Sequence, residues 1–210
     1  MMRSRAHGPQ KRDTMLTFAA AVFFLIVTPG PGVLSTAGVG AGYGYRAGTR
    51  YVAGLFVGTN LVALAVVSGL AALVLAEPRI RQVLFVASVA YLLYIALRIA
   101  FAGAQVAFIE TQKAPGFFGG IALQVINPKA YAVNTAFFSG FAFLPGHTGL
   151  EIALKFLIIN AIWIPIHFGW LWAGVALRRL DLSRRAQFAI NGVMAAAMLA
   201  VVALAAYAAL

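Results

Sequence analysis

Six stretches of this chain are apolar for about the 20 residues that a helix needs to cross a bilayer core. They cover roughly 16–40, 51–76, 83–102, 116–144, 152–177 and 186–210, and the fourth contains Lys129. The runs are long, continuous and rich in Ala and Leu, so they predict helices. Barrel strands would alternate with period two over about 10 residues. Only 10% of the 210 residues are charged and mean hydropathy is +0.91. A soluble domain carries roughly 25% charged residues, so the exterior of this chain is expected to face lipid. The net charge of +11 does not point to nucleic acid, because the basic residues lie between the apolar runs, where span flanks carry them. With no cysteine, disulfides, thiol catalysis and cysteine metal sites are excluded.

The connections are short, and none can hold an extramembrane domain. Pro78, Pro115 and Pro145-Gly146 mark turns between spans. The expected organisation is a basic tail over 1–14 and one membrane domain over 15–210, with Met15 a candidate start. Arg3, Arg5, Lys11 and Arg12 before an apolar run resemble a signal peptide, but the run exceeds a usual h-region. The loops after the first, third and fifth spans hold Arg46, Arg50, Arg98, Lys113, Arg178, Arg179, Arg184 and Arg185. The opposite side holds Arg79 and Arg81, apart from the tail, so both termini are expected outside.

Two spans cannot be continuous helices. Thr28-Pro29-Gly30-Pro31-Gly32 falls near the middle of the first, where two prolines remove donors and clash with the preceding turn. Asn127-Pro128-Lys129 falls near the middle of the fourth, and Pro128 biases Asn127 away from helical geometry. A lysine at the bilayer centre costs about 2.5–3.5 kcal/mol on insertion scales, so Lys129 is expected to face a polar interior. Asn60 and Asn160 follow the two breaks at nearly equal intervals. The pattern predicts an all-α membrane protein of six spans, built as two inverted three-helix repeats over about 15–103 and 115–210. Proline-interrupted spans at corresponding points of two halves are a pointer to a transport site.

The motifs TPGPG at 28–32 and INPKAYAVNTAFF at 126–138, with the stretches at 42–60, 69–78 and 90–100, resemble the lysine exporter (LysE) and homoserine/threonine resistance (RhtB) family. The resemblance covers nearly the whole chain from Met15. It implies an inner-membrane exporter of amino acids or their derivatives, driven by proton motive force. Two departures stand out: Gly32 occupies a position where the family motif usually has asparagine, and the second span offers Asn60 where an acid is common. Asp13, Glu77, Glu110, Glu151 and Asp181 all fall in the tail, loops or span ends, so no carboxylate is expected inside the membrane.

The expected mechanism is alternating access around a site between the broken helices. Thr28, Pro29, Gly30, Pro31, Gly32, Asn60, Asn127, Pro128, Lys129 and Asn160 are its candidate binding residues. Helix-start amides and Lys129 suit a substrate carboxylate, while freed carbonyls and asparagines suit its ammonium. Without an internal acid, neutral amino acids fit better than cationic ones. Lys129 and His167 are the candidates for proton coupling. Competing readings make Lys129 a bridge to freed carbonyls, Asn60 and Asn160 interhelical glue, Gln124 and Asn134 packing groups, and His167 a packing residue. Gly54-x-x-x-Gly58 and Gly116-x-x-x-Gly120 suit close helix packing, including a homodimer interface. Scattered histidines without a paired carboxylate argue against an enzyme. No cofactor or metal is expected. A scaffold without transport is the remaining class, and would tolerate an apolar residue at 129.

Overall fold

The structure, a computed structural model, describes residues 8–100 and 114–180, and beyond them 185–186, 189–190, 192–193, 196–197 and 200. Among the described residues every regular element is a helix. The elements are α1 (Gly8–Val27), α2 (Pro31–Tyr43), α3 (Tyr45–Val67), α4 (Leu70–Ala76), α5 (Pro78–Ala100), α6 (Phe117–Ile126), α7 (Pro128–Ser139) and α8 (Thr148–Arg179). Three are long and apolar enough to cross a membrane, or four when the bent pair α1–α2 counts as one span. Most of the expected sixth span lies outside the described residues, as do the start of the tail and the loop carrying Lys113.

The first and fourth runs break where the prolines demand it. α1 and α2 meet at 50° across Thr28–Gly30. α6 and α7 part at Asn127, whose backbone is extended at φ −80 and ψ 109. Two other boundaries depart from expectation. α1 starts at Gly8, inside the segment read as tail, because Gln10, Lys11 and Arg12 are good helix formers with no breaker before the apolar run. The second run splits at Ser68-Gly69, where Gly69 takes φ +77, a conformation open to glycine, and α4 begins beyond it.

Lipid supplies no hydrophobic drive between helices, so packing rests on small residues that let backbones touch. α3 meets α6 this way. A Cβ on Gly58 would stand 2.8 Å from the Gln124 Cβ, and one on Gly54 would overlap the Phe117 carbonyl. Gly120 lies equally close against Tyr51 and Leu55. α2 meets α8 in the same manner, with Gly174 against the Ala37 carbonyl and Gly40 against that of Leu171. The Gly54, Gly58 and Gly120 contacts are therefore made within one chain, while a Cβ on Gly116 would meet nothing within 4 Å among the described residues. Tyr51, Leu55, Leu123 and Leu171 are fully buried around these seams. The Tyr51 hydroxyl donates to Ser35 Oγ at 3.0 Å. The outside carries large apolar groups such as Phe24, Val83, Leu157 and Trp172, each about two-thirds exposed. A bilayer accommodates that surface, whereas water would not.

A second cluster closes one end of the bundle. Phe18, Val22, Phe137, Phe143 and Ile159 pack there. Lys155 is 2% exposed and pairs with Glu151 at 3.0 Å. Its Nζ also donates to the Phe138 carbonyl at 3.3 Å and lies 5.8 Å from the ring centres of Phe18 and Phe143. The other Glu151 oxygen accepts the amides of Phe143 and Leu144 at 3.0 and 2.6 Å. One ion pair thus ties the loop after α7 to the first turns of α8.

Candidate functional site

Each proline motif frees backbone groups that a continuous helix would have paired. Pro31 occupies the first turn of α2, where its missing N–H is harmless. Gly30 precedes it without a side-chain cap. The first amide of α2 to find a helical partner is that of Leu34, which donates to the Gly30 carbonyl at 3.0 Å. The amides of Gly32 and Val33 are thus the open end of this helix. α7 differs. Asn127 caps it, its Oδ1 accepting the Lys129 amide at 3.1 Å, and its carbonyl takes the Ala130 amide at 3.0 Å. Of the two half-helices, α2 alone presents free donors.

Lys129 joins the two breaks. Its Nζ donates to the Thr28 carbonyl at 3.1 Å, across 101 residues of sequence. Thr28 has lost the helical partner that the break removed, and its own hydroxyl donates back to Phe24. An ammonium has three donors, so one is used here and two remain. Nζ also stands 2.8 Å from where a Cβ on Gly30 would lie, so any larger residue at 30 would displace it.

Between the breaks lies a cavity of about 70 Å³. Thr28, Gly30, Pro31, Gly32, Asn127 and Lys129 of the expected set line it, and His167 joins them. Pro29 and Pro128 are exposed on the other side of their turns and do not line it. Asn60 and Asn160 do not line it either. They bond to each other in a closed ring, Asn60 Nδ2 to Asn160 Oδ1 at 3.1 Å and the reverse at 3.0 Å. Such a ring satisfies both amides without water. Asn60→Leu and Asn160→Leu should each destabilise the folded protein, and the double variant should lose less than their sum. The coupling expected from a double-mutant cycle, read by unfolding in micelles, is about 0.6–1.7 kcal/mol.

The structure adds residues that the sequence left as packing or passed over. Thr59, Gln124, Asn134 and Trp163 also line the cavity. Asn127 Nδ2 donates to Gln124 Oε1 at 3.3 Å, and Asn134 Nδ2 donates to the Ala130 carbonyl at 2.8 Å. His167 is 2% exposed, with its Nδ1 3.0 Å from the Trp163 carbonyl and its ring stacked on Trp163 at 3.5 Å and 15°. The available signal was helical spacing. Trp163 and His167 follow Asn160 at i+3 and i+7, which puts all three on one face of α8. The remaining wall is apolar, from Leu25, Ile26, Val33, Val133, Phe137 and Ile159, and among the described residues no acid lines it.

Comparison with known proteins gives the same direction. The sequence profile described as LysE type translocator matches residues 23–209. A leucine efflux protein of Salmonella typhimurium is 26% identical over 172 residues, covering 73% of this chain and 81% of its own. A leucine efflux protein of Enterobacter sp. is 24% identical, covering 70% and 79%. An uncharacterized membrane protein of Pseudomonas aeruginosa is 29% identical, covering 70% and 74%. No solved structure matches the chain.

Proposed function

Because this chain belongs to the LysE type translocator family, we propose that it exports neutral amino acids across the bacterial inner membrane by alternating access about the cavity between its two helix breaks. It is an integral membrane transporter of an amino-acid exporting family, and not an enzyme.

The observation that carries this proposal is Lys129, with two donors to spare beside the open amides of Gly32 and Val33. That is a site for a carboxylate, held by a full charge and by the start of a helix. The apolar wall suits an aliphatic side chain. Lysine or arginine as substrate would bring a second cation into a cavity that no acid lines. Lys129 and His167 are the groups through which protons couple to export.

Two inverted repeats, about 15–103 and 115–210, fit this arrangement. α2 leaves its break toward Gly44, beside Arg178 at the end of α8. α7 leaves its break toward Phe138, beside Lys155 at the start of α8. The two half-helices therefore diverge to opposite ends, and Asn60 meets its counterpart Asn160 between them. The end carrying Arg46, Arg50, Arg178 and Arg179 faces the cytoplasm in this reading, with the termini outside.

The test is efflux of labelled leucine, alanine and isoleucine from proteoliposomes, with and without a pH gradient. Efflux stimulated severalfold by the gradient is expected, with lysine and arginine moving far more slowly. Folded protein that moves cationic amino acids as well as neutral ones overturns the substrate class. Indifference to the gradient overturns the coupling.

A further inference from the structure

We propose that His167 Nε2 is the acceptor for the substrate's ammonium group, and that a proton and the substrate alternate on that one lone pair. The inference rests on the exporter reading above and supplies the pole opposite Lys129, which Asn60 and Asn160 cannot provide while bound to each other.

The tautomer follows from the neighbours. A backbone carbonyl has no proton to give, so the Nδ1 facing the Trp163 carbonyl must carry the hydrogen, and neutral Nε2 keeps its lone pair. The indole stacked at 3.5 Å fixes the ring plane. Nε2 points into the cavity, 3.4 Å from where a Cβ on Gly32 would stand. No group among the described residues donates to it. A buried acceptor without a donor is uncommon and costs free energy when left empty. Gln124 faces the same point through Nε2, which only donates, while its Oε1 is turned to Asn127, so the atom it presents there is not an acceptor.

The spacing suits an α-amino acid. Lys129 Nζ lies against Gly30 and His167 Nε2 against Gly32. Two residues of chain span at most about 7 Å. An ammonium and a carboxylate on one carbon have heavy atoms about 3 Å apart, and a hydrogen bond of about 2.8 Å at each end lets the pair reach up to roughly 9 Å. Gly30 and Gly32 are the positions where a side chain would intrude between the poles.

Exchange follows from the chemistry of one nitrogen. A proton from the medium adds to Nε2 as its only new bond. The imidazolium then donates where it had accepted and repels the ammonium, which leaves with its hydrogen bond broken. Deprotonation restores the acceptor. Among the described residues, Lys129 of α7 is the only other titratable side chain on the wall, and α1, α2, α3 and α6 present none there. The pH response of binding should therefore trace to His167 or to Lys129, and variants at 167 separate the two.

Binding of labelled leucine and of 4-methylpentanoate, the same skeleton without its amine, tests both parts in purified full-length protein. Wild type should prefer leucine at least tenfold, and its leucine affinity should fall by up to tenfold per unit of acidification. His167→Phe should bring the preference close to one, with 4-methylpentanoate affinity held within about threefold. His167→Gln, which keeps an acceptor but cannot titrate, should retain the preference and lose the pH response. If wild type binds neither leucine nor any other neutral amino acid, the exporter reading fails and this inference with it. If wild type binds leucine and His167→Phe keeps both preference and pH response, the exporter reading stands and this inference is overturned. Should His167→Phe not fold, an undiminished pH response in His167→Gln overturns it equally.

Discussion

Lys129→Leu is expected to abolish amino-acid efflux while leaving a folded protein. Nζ holds one bond, to the Thr28 carbonyl, and offers two donors to the cavity. Removing it orphans that carbonyl, at about 1–3 kcal/mol. It also removes a lysine from the apolar span, which returns about 2.5–3.5 kcal/mol on insertion scales. Stability should thus change little. Binding has no such offset. Truncating one partner of a buried charged pair costs about 2–5 kcal/mol, a loss of roughly 30-fold to several thousandfold in substrate affinity. Lys129→Arg keeps the charge but not the compact head, and should recover part of the efflux. The readout is initial efflux rate at matched protein content, with elution profile and unfolding midpoint as controls. A variant that transports at wild-type rate would assign Lys129 to bridging the breaks alone.

Glu151→Ala should produce a large loss of stability. It leaves Lys155, 2% exposed, without its counter-ion, and strands the amides of Phe143 and Leu144. Breaking a buried pair from one side costs about 3–5 kcal/mol. The low end applies here, because Glu151 keeps 13% of its side chain exposed. The double variant Glu151→Leu with Lys155→Met should recover much of that loss, since two apolar groups leave no charge unpaired. Unfolding in micelles measures both. If the single variant unfolds like wild type, the pair contributes nothing to holding the loop.

Much of the site was legible because breaking a membrane helix takes conspicuous residues. Pro29, Gly30, Pro31, Asn127 and Pro128 can be read as breaks from the chain alone, and the structure breaks there. A lysine in an apolar run announces a polar interior, and Lys129 lines one. The roles of Asn60 and Asn160 were not legible, since an asparagine equally suits a ligand or another asparagine, and only proximity decides. Thr59 and Gln124 escaped for a different reason. In lipid the outer face of a helix is as apolar as the packed one, so periodicity does not say which face is inside. The Ser68-Gly69 break was missed because Gly69 stands in an unbroken apolar run, where helix interiors tolerate glycine at about 1 kcal/mol. Gly54, Gly58 and Gly120 do make close helix contacts within the chain, whereas a Cβ on Gly116 of the second pair would meet nothing within 4 Å among the described residues, a difference that spacing alone cannot show.

The two backbone-to-backbone seams limit how this molecule can deform. Where Gly174 lies on the Ala37 carbonyl, and Gly54 on that of Phe117, no flexible side chain separates the helices to absorb a sliding motion. α2 with α8, and α3 with α6, are accordingly two stiff blocks, and packed contacts of this kind shift as units. In the alternating access proposed above, the motion left to the molecule would be a change of angle between the blocks, which the Tyr51–Ser35 bond also joins. The amide ring of Asn60 and Asn160 links α3 to α8, one helix from each block, and so sits where a pivot would. The two prolyl joints, which end α1 and α6, are the places where the chain can flex to follow such a rocking. A cavity set at the joints, with its walls drawn from both blocks, would change shape if either block turned.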